Sequence, residues 1–295
     1  MTDSVDNKSI VILGGPNTGK SHYAYQLYGR LRVGGCDIEL RRSPDSITLF
    51  EAGLERLNKG LAATHTTSNT YLECTLPLTV DGRNVDVCWP DYDGEQLYRQ
   101  VTHRRITKEW QNRLRSANAW LLFVRLTITK RHKDILADPL KTDIPTADDA
   151  TNKDDVSSVN VGDLSGQAKV IELLQILLHA TGTDVAQPTP WPTLGVVVSC
   201  WDEVCTEDGI LPDILLATHA PLIHQFLEAN WQAKSRFIVG LSSTGKPLSQ
   251  DEPDEDYRTK GPESFGFSIN VDGIRNNDLT LPISKLLELA NSNES

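Results

Sequence analysis

The 295-residue sequence has a formal net charge of −11, and 39% of its residues are hydrophobic. The apolar content is that of a globular protein, and the acidic balance argues against non-specific binding to nucleic acid or to anionic membranes. No apolar run approaches the ~20 residues that a membrane helix needs, and the N-terminus lacks the pattern of a secretory signal. We therefore expect a cytoplasmic protein with reduced cysteines and with no nucleic-acid or membrane partner.

Signals for strands and helices alternate along the chain. The apolar run SIVILGG at 9–15 predicts a buried strand, and KSHYAYQLYGRL after it predicts a helix. A helix is expected at 44–61 and a β-hairpin at 71–89, with Asp81-Gly82 as its turn. The other predicted elements are a polar helix at 95–116, strands at 119–127, 194–201, 236–243 and 264–271, and helices at 166–181, within 213–230 and at 281–291.

Nearly every predicted strand is apolar throughout, which is typical of a mostly parallel sheet covered by helices on both faces. The sequence therefore predicts a three-layer α/β/α fold, with one antiparallel edge strand contributed by the hairpin. We expect a single domain over 1–295 that ends in a C-terminal strand and helix at 264–295. Residues 133–165 and 249–263 are acidic and lack a hydrophobic period, so we interpret them as a surface insertion and a surface loop.

The stretch GGPNTGKS at 14–21 fits the pattern G-x-x-x-x-G-K-S between a strand and a helix. Glycines in such a loop let backbone N–H groups turn toward phosphate oxygens, and the helix N-terminus adds a positive dipole end. Lys20 would bridge the terminal phosphates and Ser21 would ligate Mg²⁺. An ordinary Gly-rich turn is the alternative. The expected nucleotide contacts are Gly14, Asn17, Thr18, Gly19, Lys20, Ser21 and His22.

A second motif, D-x-x-G, runs from Asp91 to Gly94 after the hairpin. Asp91 could reach Mg²⁺ through a water, and the Gly94 N–H could contact a γ-phosphate, although Asp-Gly turns are also common without function. Glu95 and Gln96 follow as candidates to orient the attacking water. In ATHTTSNTY at 63–71, a threonine would ligate the metal; four qualify, and Thr67 and Thr70 are favoured.

The apolar run LGVVVSCWDEV at 194–204 ends in acidic residues. Asp202 could accept two hydrogen bonds from guanine N1 and N2, a pair that adenine cannot donate. Alternatively, Asp202 and Glu203 could form the acidic pair of an ATPase, or Asp202 could cap a helix. An ATPase acidic pair directly follows its strand, whereas here Ser199, Cys200 and Trp201 intervene before the two acidic residues. Asp91 already supplies a metal-binding carboxylate, so the base-reading role fits better.

With these motifs in order, each after a strand, the chain resembles a Ras-like P-loop GTPase of the translation-factor-related class over about residues 8–248. The resemblance implies the P-loop NTPase fold, and base contacts from Cys200, Trp201, Asp202, Ser242 and Ser243. Cys200 stands where this class has a lysine that lies along the base and braces the phosphate loop. That departure should weaken binding, although Trp201 or another side chain could cover the base.

The variant SCWD and the tail FGFSINVDGIRNNDLTLPI are similar to the bacterial double-GTPase families of conflict and immunity systems. The resemblance implies a switch that binds GTP/GDP and Mg²⁺, hydrolyses GTP and regulates a companion GTPase or effector in antiviral defence. Glu95 is electrostatically awkward beside a γ-phosphate, so a nucleotide-binding scaffold with little hydrolysis is one alternative. An ATP-using P-loop protein is the other.

Overall fold

The computed structural model describes residues 7–34, 37–44, 47–63, 72–91, 106–129, 166–183, 186–205 and 207–294. The strands are β1 (Lys8–Leu13), β2 (Ile38–Leu40), β3 (Leu72–Val80), β4 (Arg83–Asp91), β5 (Ala119–Arg125), β6 (Thr193–Ser199), β7 (Arg236–Ser242), β8 (Phe267–Ile269) and β9 (Arg275–Asn276). The helices are α1 (Lys20–Val33), α2 (Ile47–Asn58), α3 (Lys108–Ser116), α4 (Gly166–Thr181), α5 (Pro212–His219), α6 (Pro221–Asn230), α7 (Glu255–Lys260) and α8 (Leu281–Glu294). Short 3₁₀ turns occur at Leu126–Ile128, Trp201–Glu203, Ala233–Ser235 and Pro262–Ser264.

Within the described ranges the strands form one sheet in the order β2-β3-β4-β1-β5-β6-β7-β8-β9. The five central strands, β4, β1, β5, β6 and β7, pair in parallel, whereas β3 and β8 run against them. The predicted α/β class with a mostly parallel sheet is confirmed. We expected one antiparallel strand, at one edge of the sheet. The structure has antiparallel pairing at both edges, because the short strands β2 and β9 pair with β3 and β8.

Alternate residues of the central strands point into two separate hydrophobic cores, one on each face of the sheet. Ile10 and Ile12 of β1 contribute to the core covered by α1, α2, α7 and α8. Val11 and Leu13 of the same strand contribute to the core covered by α3, α4, α5 and α6. Burial on both faces explains the uninterrupted apolar runs in the interiors of β1, β5, β6 and β7, and it produces three layers.

The hairpin has the predicted turn. Val80 pairs with Arg83, so Asp81 and Gly82 form a two-residue loop. Both residues have positive φ, at 50° and 74°, which is the conformation that lets a two-residue turn follow the twist of its strands. The turn therefore fixes the register of β3 against β4, in which Leu72 pairs with Asp91 at the end of β4.

Some predicted segments differ from the structure or lie outside its described part. Residues 249–263, expected as a loop, contain α7, whose N-terminus is capped by the Asp254 side chain accepting from the Tyr257 N–H. The insertion at 133–165 lies outside the described residues. Across the described ranges, no helix combines the length and hydropathy needed to span a membrane, and the described cysteines are free thiols.

Helix α1 also packs against the C-terminal part of the chain through buried polar contacts. The Tyr23 hydroxyl donates to the Leu279 carbonyl at 2.9 Å. Gln26, which is 1% exposed, places its amide nitrogen 3.0 Å from the Ser243 carbonyl and 2.7 Å from the Tyr257 hydroxyl. The helix that begins at the GKS motif is thus held by residues more than 200 positions later in the chain.

Candidate functional site

The GGPNTGKS loop joins the carboxyl end of β1 to the first turn of α1. Two of its glycines adopt positive φ, 144° at Gly14 and 81° at Gly19. A Cβ added to Gly14 would lie 2.8 Å from the Phe123 carbonyl oxygen and 3.0 Å from Thr18 Oγ1, so only glycine fits there. Backbone conformation and close packing on β5 therefore require the glycine that the motif supplies.

The Lys20 ammonium folds back over this loop. It donates to the Gly14 and Gly15 carbonyls at 2.8 and 2.6 Å and approaches Thr18 Oγ1 at 3.2 Å. The Thr18 hydroxyl in turn donates to the Gly15 carbonyl at 2.9 Å. Gly19, the N-cap of α1, offers no side chain to the first-turn N–H groups. The loop thus presents a cation and a helix N-terminus, which together suit an anion such as phosphate.

The residues after β6 pack directly against the phosphate loop. Cys200 has a left-handed conformation with φ of 52°. A Cβ built on Gly19 would lie 3.5 Å from the Cys200 Sγ, so the thiol lies beside that glycine. Burial raises the pKa of the Cys200 thiol from its usual 9.0 to about 12. Cys200 is therefore a neutral packing group where the resemblance leads us to expect a lysine.

Asp202 is held from the neighbouring strand. The hydroxyl of Ser242, at the end of β7, donates to Asp202 Oδ1, and the same Ser242 oxygen accepts from the Gly245 N–H at 2.9 Å. Ser242 is fully buried, whereas Asp202 is partly exposed. The carboxylate is thus fixed on one side by a hydrogen bond and keeps acceptor capacity for a ligand.

The next residue, Glu203, has a different partner. Both of its carboxylate oxygens accept hydrogen bonds from Arg125, at 2.9 and 2.6 Å, and Thr127 donates a third at 3.0 Å. The Glu203 hydrogen bonds are the largest influence raising the pKa of Arg125 above its usual range. Glu203 therefore forms a structural ion pair with Arg125. Because both of its carboxylate oxygens are engaged, this argues against Asp202 and Glu203 acting as a metal-binding acidic pair.

Arg125 also donates from Nη1 to the Asn17 carbonyl in the phosphate loop, at 2.9 Å. Sequence reasoning missed this residue. The signal that could have identified it is a single arginine ending the otherwise apolar run AWLLFVR, because a charge at the carboxyl end of a buried parallel strand lies where ligands bind.

Two residues predicted to contact the base, Trp201 and Ser243, contact other parts of the protein. The Trp201 side chain is only 2% exposed and packs on β7, since a Cβ added to Gly240 would lie 2.8 Å from Trp201 Cδ2. Its ring belongs to the core and is not placed to cover a base. Ser243 contributes its carbonyl to Gln26. Ser199 is buried, and its hydroxyl has no hydrogen-bond partner among the described residues.

The predicted metal ligands are only partly described. Ser21 lies in the first turn of α1, and Asp91 is the last residue of β4. Because β4 and β1 are parallel neighbours, Asp91 and the phosphate loop lie at the same edge of the sheet. Thr67, Thr70, Gly94, Glu95 and Gln96 lie outside the described residues. No group of three metal-ligating His, Cys, Asp or Glu side chains occurs in the part of the chain that the structure covers.

His22, also predicted to contact nucleotide, uses its ring differently. The Nε2 atom accepts a hydrogen bond from the Ala63 backbone N–H at 3.1 Å. Ala63 is the last described residue before the threonine-rich stretch at 64–70. His22 thus connects the first turn of α1 to the start of that stretch.

The three-layer fold, the phosphate loop and the acidic turn packed against it define a P-loop nucleotide-binding protein of the GTPase class. The model of the Double-GTPase 1 family matches residues 11–286, and the chain belongs to this family. A search of curated proteins finds no match. Among solved structures, the nucleolar GTP-binding protein 1 of Plasmodium falciparum is similar, with 10% identity and a TM-score of 0.42 over 99% of this chain and 91% of that one.

Proposed function

We propose that the protein is a molecular switch that binds GTP, hydrolyses it with Mg²⁺ and thereby regulates a partner protein. The observation that carries this proposal is the packing of Cys200 beside Gly19. This packing brings the turn that bears Asp202 against the phosphate loop. One nucleotide could therefore engage the loop through its phosphates and Asp202 through its base.

The state of Asp202 favours guanine over adenine. Its Oδ1 is fixed by Ser242, and the remaining acceptor capacity suits the N1–H and N2–H donors of guanine. Adenine presents no such donor pair, so it would leave the remaining acceptor capacity of the carboxylate unused. Glu203 is engaged by Arg125 and Thr127, which removes the main support for the alternative of an ATPase acidic pair.

At the phosphate end, Lys20 and the N-terminal N–H groups of α1 would bind the β- and γ-phosphates. Ser21, Asp91 and one of Thr67 or Thr70 would hold Mg²⁺. The hydroxyl and carboxylate oxygens of this set are the ligands that Mg²⁺ prefers. When bound, the ion would supply charge neutralisation at the phosphate oxygens.

Hydrolysis itself depends on Glu95 or Gln96. A carboxylate at Glu95 would repel an anionic γ-phosphate, so we expect slow intrinsic turnover that a partner accelerates. A scaffold that binds GTP without hydrolysing it is the second candidate, supported by Glu95 and by cysteine at position 200. Single-turnover hydrolysis of prebound GTP separates the two, because the scaffold would leave GTP intact even when the partner is present.

The partner in this proposal is a companion GTPase or an effector within a bacterial defence system. Support for that context comes from the SCWD motif and from membership of the Double-GTPase 1 family. The nucleotide state would control the loops that carry Thr67, Thr70 and Gly94, and these loops would present or withdraw the partner-binding surface.

Nucleotide selectivity tests the proposal through Asp202. The unmodified protein should bind GTP well and ATP poorly. Asp202→Asn replaces one acceptor by a donor, so it should weaken GTP binding about 10- to 100-fold, since hydrogen bonds to charged groups contribute about 1.5–3 kcal/mol each. Xanthosine triphosphate offers an acceptor where guanine has its N2 donor, so the variant should bind it better than GTP. Equal affinities of the unmodified protein for ATP and GTP would sink the guanine assignment.

A further inference from the structure

Arg125 connects the two loops of the candidate site through one guanidinium group. Its Nε and Nη2 donate to both oxygens of Glu203, and its Nη1 donates to the Asn17 carbonyl at 2.9 Å. The guanidinium is planar and rigid, so partners bound on two of its sides are held at a fixed separation. Arg125 is itself fixed, because it ends a strand that pairs with β6 up to Ser199.

On the phosphate-loop side, this contact sets the direction of a peptide group. Asn17 has a left-handed conformation with φ of 57°, which few residues other than glycine adopt readily. The N–H of Thr18 points opposite to the Asn17 carbonyl, because the two groups share one trans peptide plane. By holding that carbonyl, Arg125 directs the Thr18 N–H away from itself, and Thr18 is one of the residues expected to contact nucleotide.

On the other side, the same group fixes the turn that carries Asp202. Glu203 is the last residue of the 3₁₀ turn at Trp201–Glu203, so it immediately follows Asp202. Thr127 adds a further hydrogen bond to Glu203 at 3.0 Å. The position of Asp202 therefore depends on Ser242 from one strand and on the Arg125–Glu203 pair from another.

Cys200 makes only a weak link between the turn that carries Asp202 and the phosphate loop. The Cys200 thiol lies beside Gly19, and a thiol is a weak hydrogen-bond donor that carries no charge when buried. It therefore packs on the phosphate loop without a strong hydrogen bond to a loop carbonyl. The strong bond between the base-reading turn and the loop comes instead from the neighbouring strand, through Arg125.

We propose that Arg125 is a positioning residue that couples the base-reading turn to the phosphate loop. This inference rests on the proposed function in one respect, namely that the ligand joining the two loops is GTP. If Arg125 holds both loops in their binding geometry, its loss should weaken GTP binding and also reduce discrimination against ATP. A residue that only stabilised the fold would lower affinity for both nucleotides by the same factor.

Binding of GTP and ATP to three variants supplies the first measurement. Arg125→Met keeps the length of the side chain and removes every hydrogen bond that the guanidinium makes. The affinity for GTP should therefore fall about 10- to 100-fold, and the ratio of the GTP affinity to the ATP affinity should decrease. Arg125→Lys can satisfy one side of the connection and should be intermediate. Glu203→Gln keeps the shape and removes the charge, so its loss of GTP affinity should also be intermediate. In the double variant with Arg125→Met, the two losses should be less than additive.

Amide hydrogen exchange without nucleotide supplies the second measurement. Arg125→Met should accelerate exchange at 17–20 and at 201–205 while leaving the central strands unchanged. The matched control is Arg41→Met, because the Arg41–Asp86 pair has a similar length of 2.8 Å and a similar exposure of 28% at the arginine, against 2.6 Å and 27% for Arg125 with Glu203. Asp86 pairs with Ser9 near the start of β1, away from the phosphate loop.

The two measurements distinguish the inference from the proposed function. Unchanged exchange at both loops in Arg125→Met overturns the coupling, whatever the protein binds. Accelerated exchange together with GTP binding equal to that of the unmodified protein overturns the positioning role. Accelerated exchange in a protein that binds no guanine nucleotide supports the coupling and contradicts the proposed function. If Arg125→Met does not fold, Arg125→Lys and Glu203→Gln give the same comparisons.

Discussion

The His22 imidazole accepts a hydrogen bond from the Ala63 backbone N–H, so the first turn of α1 is joined to the residue that precedes the threonine-rich stretch. The bond spans 41 positions of sequence and links the helix that follows the phosphate loop to a segment expected to respond to the γ-phosphate. A change in either partner is therefore expected to affect the other.

Replacing His22 tests this connection. His22→Ala leaves the Ala63 N–H without its acceptor, whereas the side-chain carbonyl of His22→Gln can restore one. We expect His22→Ala to destabilise the protein by about 1–3 kcal/mol, the usual cost of an unpaired buried donor, and His22→Gln to cost less. Urea denaturation measures the difference; equal losses in the two variants would contradict a role for the hydrogen bond.

Lys20→Ala should abolish the stabilisation that GTP confers. A ligand that binds only the folded protein stabilises it by about 2.7 kcal/mol at 100 times its Kd. The quantity to compare is the rise in melting temperature on adding GTP, and not the melting temperature itself. The substitution also removes the hydrogen bonds that Lys20 donates to the Gly14 and Gly15 carbonyls without ligand, and this lowers the melting temperature in any case. Lys59→Ala, at an exposed lysine paired with Glu55, should retain the full shift. A normal shift in Lys20→Ala would exclude the phosphate loop as the site.

The packing of Trp201 on Gly240 predicts a steric penalty. Gly240→Ala would place a methyl group against the buried indole, and overpacking of this kind typically costs about 1–3 kcal/mol. In a Trp201→Phe background the smaller ring should relieve part of that cost. A double-mutant cycle measured by chemical denaturation gives the coupling. Additive losses would mean that the ring and the methyl group do not compete for the same space.

Cys200 predicts a specific loss of stability at alkaline pH. Its pKa rises from the usual 9.0 to about 12 because the thiol is buried, so folding favours the neutral form. The resulting contribution is complete below pH 9 and is lost as pH rises from 9 toward 12. Between pH 8 and 10.5, the free energy of unfolding should therefore fall more steeply for the unmodified protein than for Cys200→Ser. The tyrosines titrate in both proteins and cancel, so parallel curves would refute the prediction.

Gln26 predicts that α1 depends on the C-terminal part of the chain. Its amide nitrogen donates to the Ser243 carbonyl and lies near two buried acceptors, the Pro262 carbonyl and the Tyr257 hydroxyl. Gln26→Leu keeps the volume and removes the amide donor from the Ser243 carbonyl and the Tyr257 hydroxyl, which should cost about 2–4 kcal/mol. Tyr257→Phe removes a single partner and should cost less. Thermal denaturation of both variants tests the order of the two effects.

The sequence was sufficient for those parts of the fold that a local pattern determines. Apolar runs predicted the central strands because these are buried on both faces, and Asp81-Gly82 predicted the hairpin because its φ angles suit that pair. Helix α7 was missed because EDYRTK is short and polar, with Tyr257 as its one buried residue. Its stability comes from the Asp254 cap and from packing on α1, neither of which has a periodic signature.

Only part of the candidate site is encoded in one continuous stretch of sequence. The phosphate loop was predictable because its glycines and lysine are needed in one continuous stretch. Arg125 was not, because its partners Asn17 and Glu203 are 108 and 78 positions away and meet it only when β5 pairs with both β1 and β6. The place of Trp201 depended on Gly240, whose missing side chain makes room for the indole on the next strand.

The contacts of α1 have a consequence for the order in which the protein can be made. Tyr23, Gln26 and Arg30 take their partners from residues 243–279, which leave the ribosome long after α1 does. A nascent chain that has exposed only the GKS motif lacks the groups that hold the following helix in place. The helix that follows the phosphate loop, although encoded near the start, is therefore among the last elements to gain these contacts, since contacts of such long sequence separation are slow to form.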